Sequence, residues 1–281
     1  MQQRTLKNAI SAQGVGLHSG QKVTMTLCPS APGTGIRFQR MDLPEQPIVP
    51  ALWDRVRDTR LCTLIGEGQA TIGTIEHVMS ALRAAAIDNV VIQLDGAEVP
   101  IMDGSAEPFS FLIDCAGIDI QSAKRRVLAI KRAVRVSDGD KWAEYTPATV
   151  PSFDFTADFN HPAIGMQTGR LTLVNGNFSG QIARARTFGF LHEVEYLRAN
   201  GLAKGGSLDN AIVLDHEKVM NTDGLRFDDE FVRHKILDAV GDLYLAGAPI
   251  MGHYCGFKAG HALNNQLLHA IFADKANYSW G

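Results

Sequence analysis

Two stretches of this chain follow one plan, and that repetition constrains the fold more than any other feature. In the first half, extended segments ("KVTMTLCP", "TGIRFQRM", "TRLCTLIG") lead into an amphipathic pattern at "TIEHVMSALRAAA", with Thr74 as the expected N-cap. A strand "NVVIQLDG", a turn "PIMDGS" and a helix "AEPFSFLIDCAG" follow. The second half runs through the strands "RVLAIKRAVRVSD", "KWAEYTP", "SFDFTADF", "RLTLVNG" and "FSGQIARART" to a helix containing His234. Then come the strand "APIMGHYCGF", the turn "KAGHA" and the helix "LNNQLLHAIFA". "EHVMSAL" lies over "RHKILDAV", which sets His77 opposite His234. The interval from each histidine to the glycine of the later turn, Gly104 or Gly260, differs by one residue. A period this long indicates a duplicated α+β domain and not a solenoid. We divide the chain at residues 1–122 and 123–281, with "GIDIQSAKRR" as a polar, solvated joint.

The length of 281 residues accommodates two domains of ordinary size. With 45% hydrophobic and 20% charged residues the chain is globular, and a net charge of −3 argues against nucleic acid as a partner. The four cysteines, Cys28, Cys62, Cys115 and Cys255, form no CxxC pair and read as thiols of a reducing compartment. No signal peptide or long apolar run is present, so the expectation is a cytoplasmic monomer with at most peripheral membrane contact. One segment breaks the symmetry of the halves. Residues 187–214 add a helix and a Gly-rich hairpin, and their apolar side chains suit either a satellite core or a groove for something greasy.

Within "FVRHKILDAVGD", His234, Asp238 and Asp242 recur every four residues, with Lys235 beside them and apolar residues between. On a helix this trio forms one stripe. A solvated face explains such a stripe. So does a metal: His77, His234 and Asp238 make a three-ligand set for a catalytic zinc, and the same donors admit Fe(II). Neither HExxH nor HxxEH occurs. Glu76, at a helix start beside His77, is either a capping carboxylate or the general base of a metal-assisted hydrolysis. His261, opening the last helix, is a candidate general acid that needs a compensating carboxylate, for which Asp242 is the obvious choice. Thr187 offers a hydroxyl to a developing oxyanion.

Taken in order, "TIEHVMSAL", "EVPIMDGSA", "FNHPAIG", "ARTFGF", "VRHKILDAVGD" and "KAGHALNNQLL" resemble the UDP-3-O-acyl-N-acetylglucosamine deacetylase family, zinc amidases that commit UDP-GlcNAc derivatives to lipid A synthesis. The resemblance spans essentially the whole chain. It implies two mainly antiparallel sheets, each with helices on one face, and the helices of both halves packed together around the metal. It implies His77, His234 and Asp238 as zinc ligands, Glu76 as general base and His261 as general acid, supported by Lys235, Asp242 and Thr187. It also implies uridine and diphosphate contacts from Lys141, Asp158, Phe159 and Lys258. The insert becomes an acyl tunnel, with Phe188, Val194, Leu197, Leu202 and Ala203 along it. A fused acyl dehydratase finds no room in this length. A non-catalytic zinc or lipid sensor has no use for Glu76 and His261, and a metal-free structural duplication predicts no bound ion.

Overall fold

The structure, a computed structural model, describes residues 1–174 and 176–281. Five strands of the first half, β1 (Ile10–Val15), β2 (Lys22–Pro29), β3 (Ile36–Arg40), β4 (Ile48–Pro50) and β5 (Val90–Leu94), form a sheet in the order β1-β2-β5-β3-β4. Five of the second half, β6 (Val134–Asp138), β7 (Lys141–Thr146), β8 (Ser152–Phe159), β9 (Gly165–Thr172) and β10 (His253–Phe257), form another in the order β6-β7-β10-β8-β9. The two orders are one permutation. In both sheets the last strand lies antiparallel to the second and parallel to the third.

The helices are α1 (Glu76–Ala84), α2 (Glu107–Ala116), α3 (Asn177–Gln181), α4 (Leu191–Ala199), α5 (Glu230–Leu243) and α6 (His261–Ala273). Helices α1 and α5 occupy the same place, between the fourth and fifth strands of their sheets, and α2 and α6 each follow the fifth. Alternation along the strands aims one set of side chains inward: Val23, Met25 and Leu27 from β2, and Phe153, Phe155 and Ala157 from β8. Helix α5 packs on β8 and β9, and α6 on β6 and β7, so both cover one face of the second sheet.

The halves meet through α1 and α5. Every residue of α5 except Arg233 and Lys235 is buried, so its polar stripe is an interior feature and not a solvated face. Gly241 makes the meeting close. A Cβ there would fall on the carbonyl oxygen of Glu76, far inside van der Waals contact, so only glycine lets the helix backbones approach this nearly.

Several local expectations give way to tertiary context. Thr74 does not cap α1: it sits at φ 57 and donates its hydroxyl to Glu98 Oε1 at 3.0 Å, while Ile75 takes the N-cap position. "FSGQIARART" holds the short helix α3 and turns where a strand is expected. The insert holds the expected helix, α4, but its Gly-rich part is not a hairpin: among the described residues no strand lies between α4 and Ile212, and Phe188–Phe190 pairs parallel with Ile212–Leu214. "GIDIQSAKRR" is not a free linker either. Its strand Ile118–Lys124 pairs antiparallel with Gln2–Leu6, and Arg125 beyond it is an 8% exposed side chain paired with Asp88 at 2.8 Å. Backbone donors along that segment find partners in a ladder, which a polar composition does not forbid.

Candidate metal centre and active site

Helix α5 sets His234 and Asp238 one turn apart, and α1 brings His77 across from the other half. Imidazole nitrogens and a carboxylate oxygen of these three buried residues lie within 4.8 Å of one another. His234 Nε2 is 3.3 Å from Asp238 Oδ1, and His77 Nε2 is 3.8 Å from the same oxygen. Burial, with the other imidazole nearby, holds His77 down at about 3, and burial likewise lowers His234, so both rings are neutral and free to donate lone pairs. Asp238 stays ionised: against its burial penalty, the Lys235 ammonium on its second oxygen holds it well below the ordinary carboxylate range.

Orientation supports the same use. His234 Nδ1 donates to the Ala185 carbonyl at 3.0 Å, which turns Nε2 toward Asp238. His77 Nδ1 is buried with no hydrogen-bond partner, while its Nε2 faces Asp238. Lys235 Nζ binds the second Asp238 oxygen at 2.6 Å, leaving Oδ1 toward the histidines. Two neutral imidazoles and an ionised carboxylate, one donor atom from each, fit a divalent cation.

Around this cluster lies a second network. Glu76, 4% exposed, accepts the Thr63 backbone N–H through Oε2 at 3.1 Å. The Thr63 hydroxyl donates to Asp242 Oδ1 at 2.6 Å, so one threonine ties the helix of one half to that of the other. Asp242 Oδ2 accepts from His261 Nδ1 and from Asn264 Nδ2, both at 2.8 Å. Burial pushes the Glu76 carboxyl up to about 7, with Asp242 and Asp238 adding to the rise against the opposing pull of His261. Burial alone would depress His261, but Asp242, Glu76 and Asp238 outweigh it and raise the imidazole to about 9. A carboxyl pushed up and an imidazole pushed up face one cavity, the arrangement of a proton acceptor beside a proton donor.

That cavity, about 460 Å³, is lined by Glu76, His77, His234, Lys235, Asp238 and His261 together with Thr187, Phe188, Phe159, Lys141 and Lys258. Asp158 stands behind Lys258, its Oδ2 3.6 Å from Nζ, while Asp140 holds the same ammonium at 2.8 Å. Phe159 packs edge-on against Phe188 at 5.3 Å. Thr187 is fixed by its backbone: its N–H donates to Gly104 and its carbonyl accepts from Ile212, each at 2.8 Å. Gly104, at φ 84, is a position where a Cβ would strike the Asn210 carbonyl.

A second cavity of about 310 Å³ shares Leu17, Leu61, Thr187 and Phe188 with the first and continues past Val194, Leu197 and Ala203. Leu202 lines an adjoining cavity of about 590 Å³, together with Leu197, Cys62 and Tyr196. The structure thus gathers most of the expected catalytic, metal and nucleotide residues on the first cavity, with Asp242 and Asp158 directly behind them, and leaves Leu202 outside the inner passage. Sequence reasoning missed Thr63, Asn264 and Gly241, whose roles depend on contacts across the halves and leave no local periodicity.

The family model for UDP-3-O-acyl N-acetylglycosamine deacetylase matches residues 3–273. Among curated proteins, the chain is similar to the UDP-3-O-acyl-N-acetylglucosamine deacetylase of Photobacterium profundum, 53% identical over 283 residues, covering 100% of this chain and 93% of that protein. The protein of the same name from Idiomarina loihiensis is 51% identical over 284 residues, covering 100% and 92%. That of Haemophilus influenzae (strain PittEE) is 53% identical over 281 residues, covering 98% and 91%.

Proposed function

Because the chain belongs to the UDP-3-O-acyl-N-acetylglucosamine deacetylase family, a family of metal-dependent amide hydrolases acting in lipid A biosynthesis, we propose how its own residues divide that reaction. Hydrolysis of the N-acetyl group of UDP-3-O-(3-hydroxyacyl)-N-acetylglucosamine yields acetate and the free amine, and it needs an attacking water, a base and an acid.

His77, His234 and Asp238 hold the metal, which we take to be zinc, with Fe(II) able to use the same donors. When bound, the ion supplies a Lewis acid for the amide carbonyl and the water. Glu76 accepts the water's proton; its elevated carboxyl suits a base working near neutrality. His261 carries its two protons on Nδ1, toward Asp242, and on Nε2, from which it stabilises the oxyanion and then protonates the departing amine. Thr187 offers its hydroxyl to the same oxyanion. Lys235 keeps Asp238 oriented and ionised.

Lys141, Asp158, Phe159 and Lys258 supply the contacts to uridine and diphosphate, and the passage past Phe188, Val194, Leu197 and Ala203 receives the acyl chain. Leu202 contributes from the adjoining cavity. The reaction takes place in the cytoplasm. Among the described residues no helix is long and apolar enough to cross a membrane, and any membrane contact is at most peripheral.

The observation that carries this reading is the pairing, over one cavity, of a three-donor metal cluster with Glu76 and the Asp242-held His261. Incubation with UDP-3-O-acyl-N-acetylglucosamine should release acetate, and a chelator should stop it until Zn²⁺ is restored. Release that persists undiminished after complete metal removal rules the reading out.

A further inference from the structure

The second sheet has an outer face, turned away from α5 and α6, where alternation places polar side chains side by side. On β10 the buried residues are Tyr254 and Gly256, so His253 and Cys255 point outward. On β8 the outward set includes Ser152 and Asp154. The parallel register sets Ser152 beside His253 and Asp154 beside Cys255, and β7 adds Glu144 on the far side of Cys255. A thiol, an imidazole and a carboxylate therefore meet on three adjacent strand positions. Donor atoms of Asp154, His253 and Cys255 all lie within 4.8 Å of one another.

The internal geometry is specific. The Ser152 hydroxyl and His253 Nδ1 are hydrogen-bonded at 2.8 Å, which fixes the ring and directs Nε2 toward Cys255. Cys255 Sγ lies 3.6 Å from His253 Nε2. In a tetrahedral site with Zn–S near 2.3 Å and Zn–N near 2.0–2.1 Å, the sulfur-to-nitrogen edge is about 3.6 Å. Two donors thus already stand at ligand separation. Asp154 is engaged by Arg170 at 2.8 and 2.5 Å, but that arginine side chain is 75% exposed, and a solvated surface pair yields readily to a divalent cation. A thiol–imidazole hydrogen bond on a polar sheet face is the competing account of the same contact.

We propose that this face carries a second metal site, in which His253 Nε2, Cys255 Sγ and one Asp154 oxygen bind a thiophilic divalent cation, zinc, with water completing the tetrahedron. Binding converts the Cys255 thiol to a thiolate and releases its proton to solvent. The site lies across the sheet from the catalytic cluster and uses none of its residues.

The test uses the holoenzyme with its catalytic ion in place. Equilibrium dialysis against Zn²⁺ should load one further equivalent per chain. With Co²⁺ as the added ion, a thiolate-to-cobalt charge-transfer band should appear in the near ultraviolet and saturate at one equivalent. The catalytic cluster contains no sulfur, so this band cannot come from the catalytic ion, and Cys255→Ser separates it from the thiols of Cys28, Cys62 and Cys115. Cys255→Ser should abolish the band and the extra equivalent, and His253→Gln should weaken uptake at least tenfold, both with deacetylase turnover retained. A band that survives Cys255→Ser belongs to another thiol and overturns the proposal. So do uptake that never saturates (an adventitious ion only) and a stoichiometry that stays at the catalytic equivalent. Loss of acetate release in all samples would instead count against the catalytic reading.

Discussion

The two halves share one strand permutation and one helix placement, yet they divide the chemistry unequally. Helix α1 has nine residues and contributes two adjacent ones, Glu76 and His77, from its first turn. Helix α5 has fourteen and contributes a stripe, His234, Asp238 and Asp242, along three turns. The position matching Glu76 in the second half is Arg233, which is partly exposed and paired with Asp229. The shared plan gives two like helices; the site lies where they touch, and each half contributes a different part of it. Only the second half also acquired the insert and the His261–Asp242 pair.

The largest effect expected from this division is loss of the ion. His77→Ala in one half and His234→Ala or Asp238→Ala in the other should each bring metal content to background in elemental analysis, and turnover with it. Retained metal in His77→Ala would mean that the second half holds the ion alone, and the shared centre would be lost as an idea.

Next comes the contrast between matched positions. Glu76→Gln should keep its metal and lose roughly 10²–10⁴-fold in kcat, the usual contribution of a positioned base. Its counterpart Arg233→Gln should change kcat by less than about threefold, since an exposed pair contributes little. Equal losses at both positions would erase the asymmetry.

Gly241→Ala tests the contact itself. The added methyl overlaps the Glu76 carbonyl, so the helices must separate, at about 1–3 kcal/mol of stability and with weaker metal retention. The matching residue of α1, Ala84, should tolerate Ala84→Gly at about 1 kcal/mol or less with no change in metal affinity. Thermal unfolding and chelator competition measure both.

A smaller and more specific effect concerns pH. His261 is raised from its usual value of 6.5 to about 9, so it is protonated at neutrality and activity should fall as pH rises through about 9. Asp242→Asn removes the largest upward influence, so the basic limb of kcat/KM should move to lower pH. The sign for stability follows from the same shift: the contribution is complete below 6.5 and is lost as pH rises through about 9. An unmoved limb in Asp242→Asn would detach the pair from the acid role. Smallest overall is the effect of Ala203→Phe, which narrows the inner passage. It should lower kcat/KM for long acyl chains more than for short ones, at about 0.8 kcal/mol for each methylene no longer buried. A constant ratio across a substrate series would make the insert mere packing.

Much of this was legible before any coordinate. The i, i+4 spacing of His234, Asp238 and Asp242 is local, and a helix turns local spacing into a shared face with no help from the rest of the fold. The repeat was legible for the same reason: alternation and periodicity in each half reproduce the same elements in the same order. What those elements touch is a different kind of information. That the stripe is buried, that Thr63 bridges Glu76 and Asp242, and that Gly241 admits a second helix all depend on atoms far apart in the chain. His253 and Cys255 show the limit most plainly. They stand two residues apart in "GHYCGF", which a strand turns to one face, and Asp154 reaches them only through the parallel pairing of β8 with β10. Sequence determines which face a side chain takes, because backbone geometry repeats every two or 3.6 residues; the neighbour across that face is chosen by close packing between segments, where no such period exists.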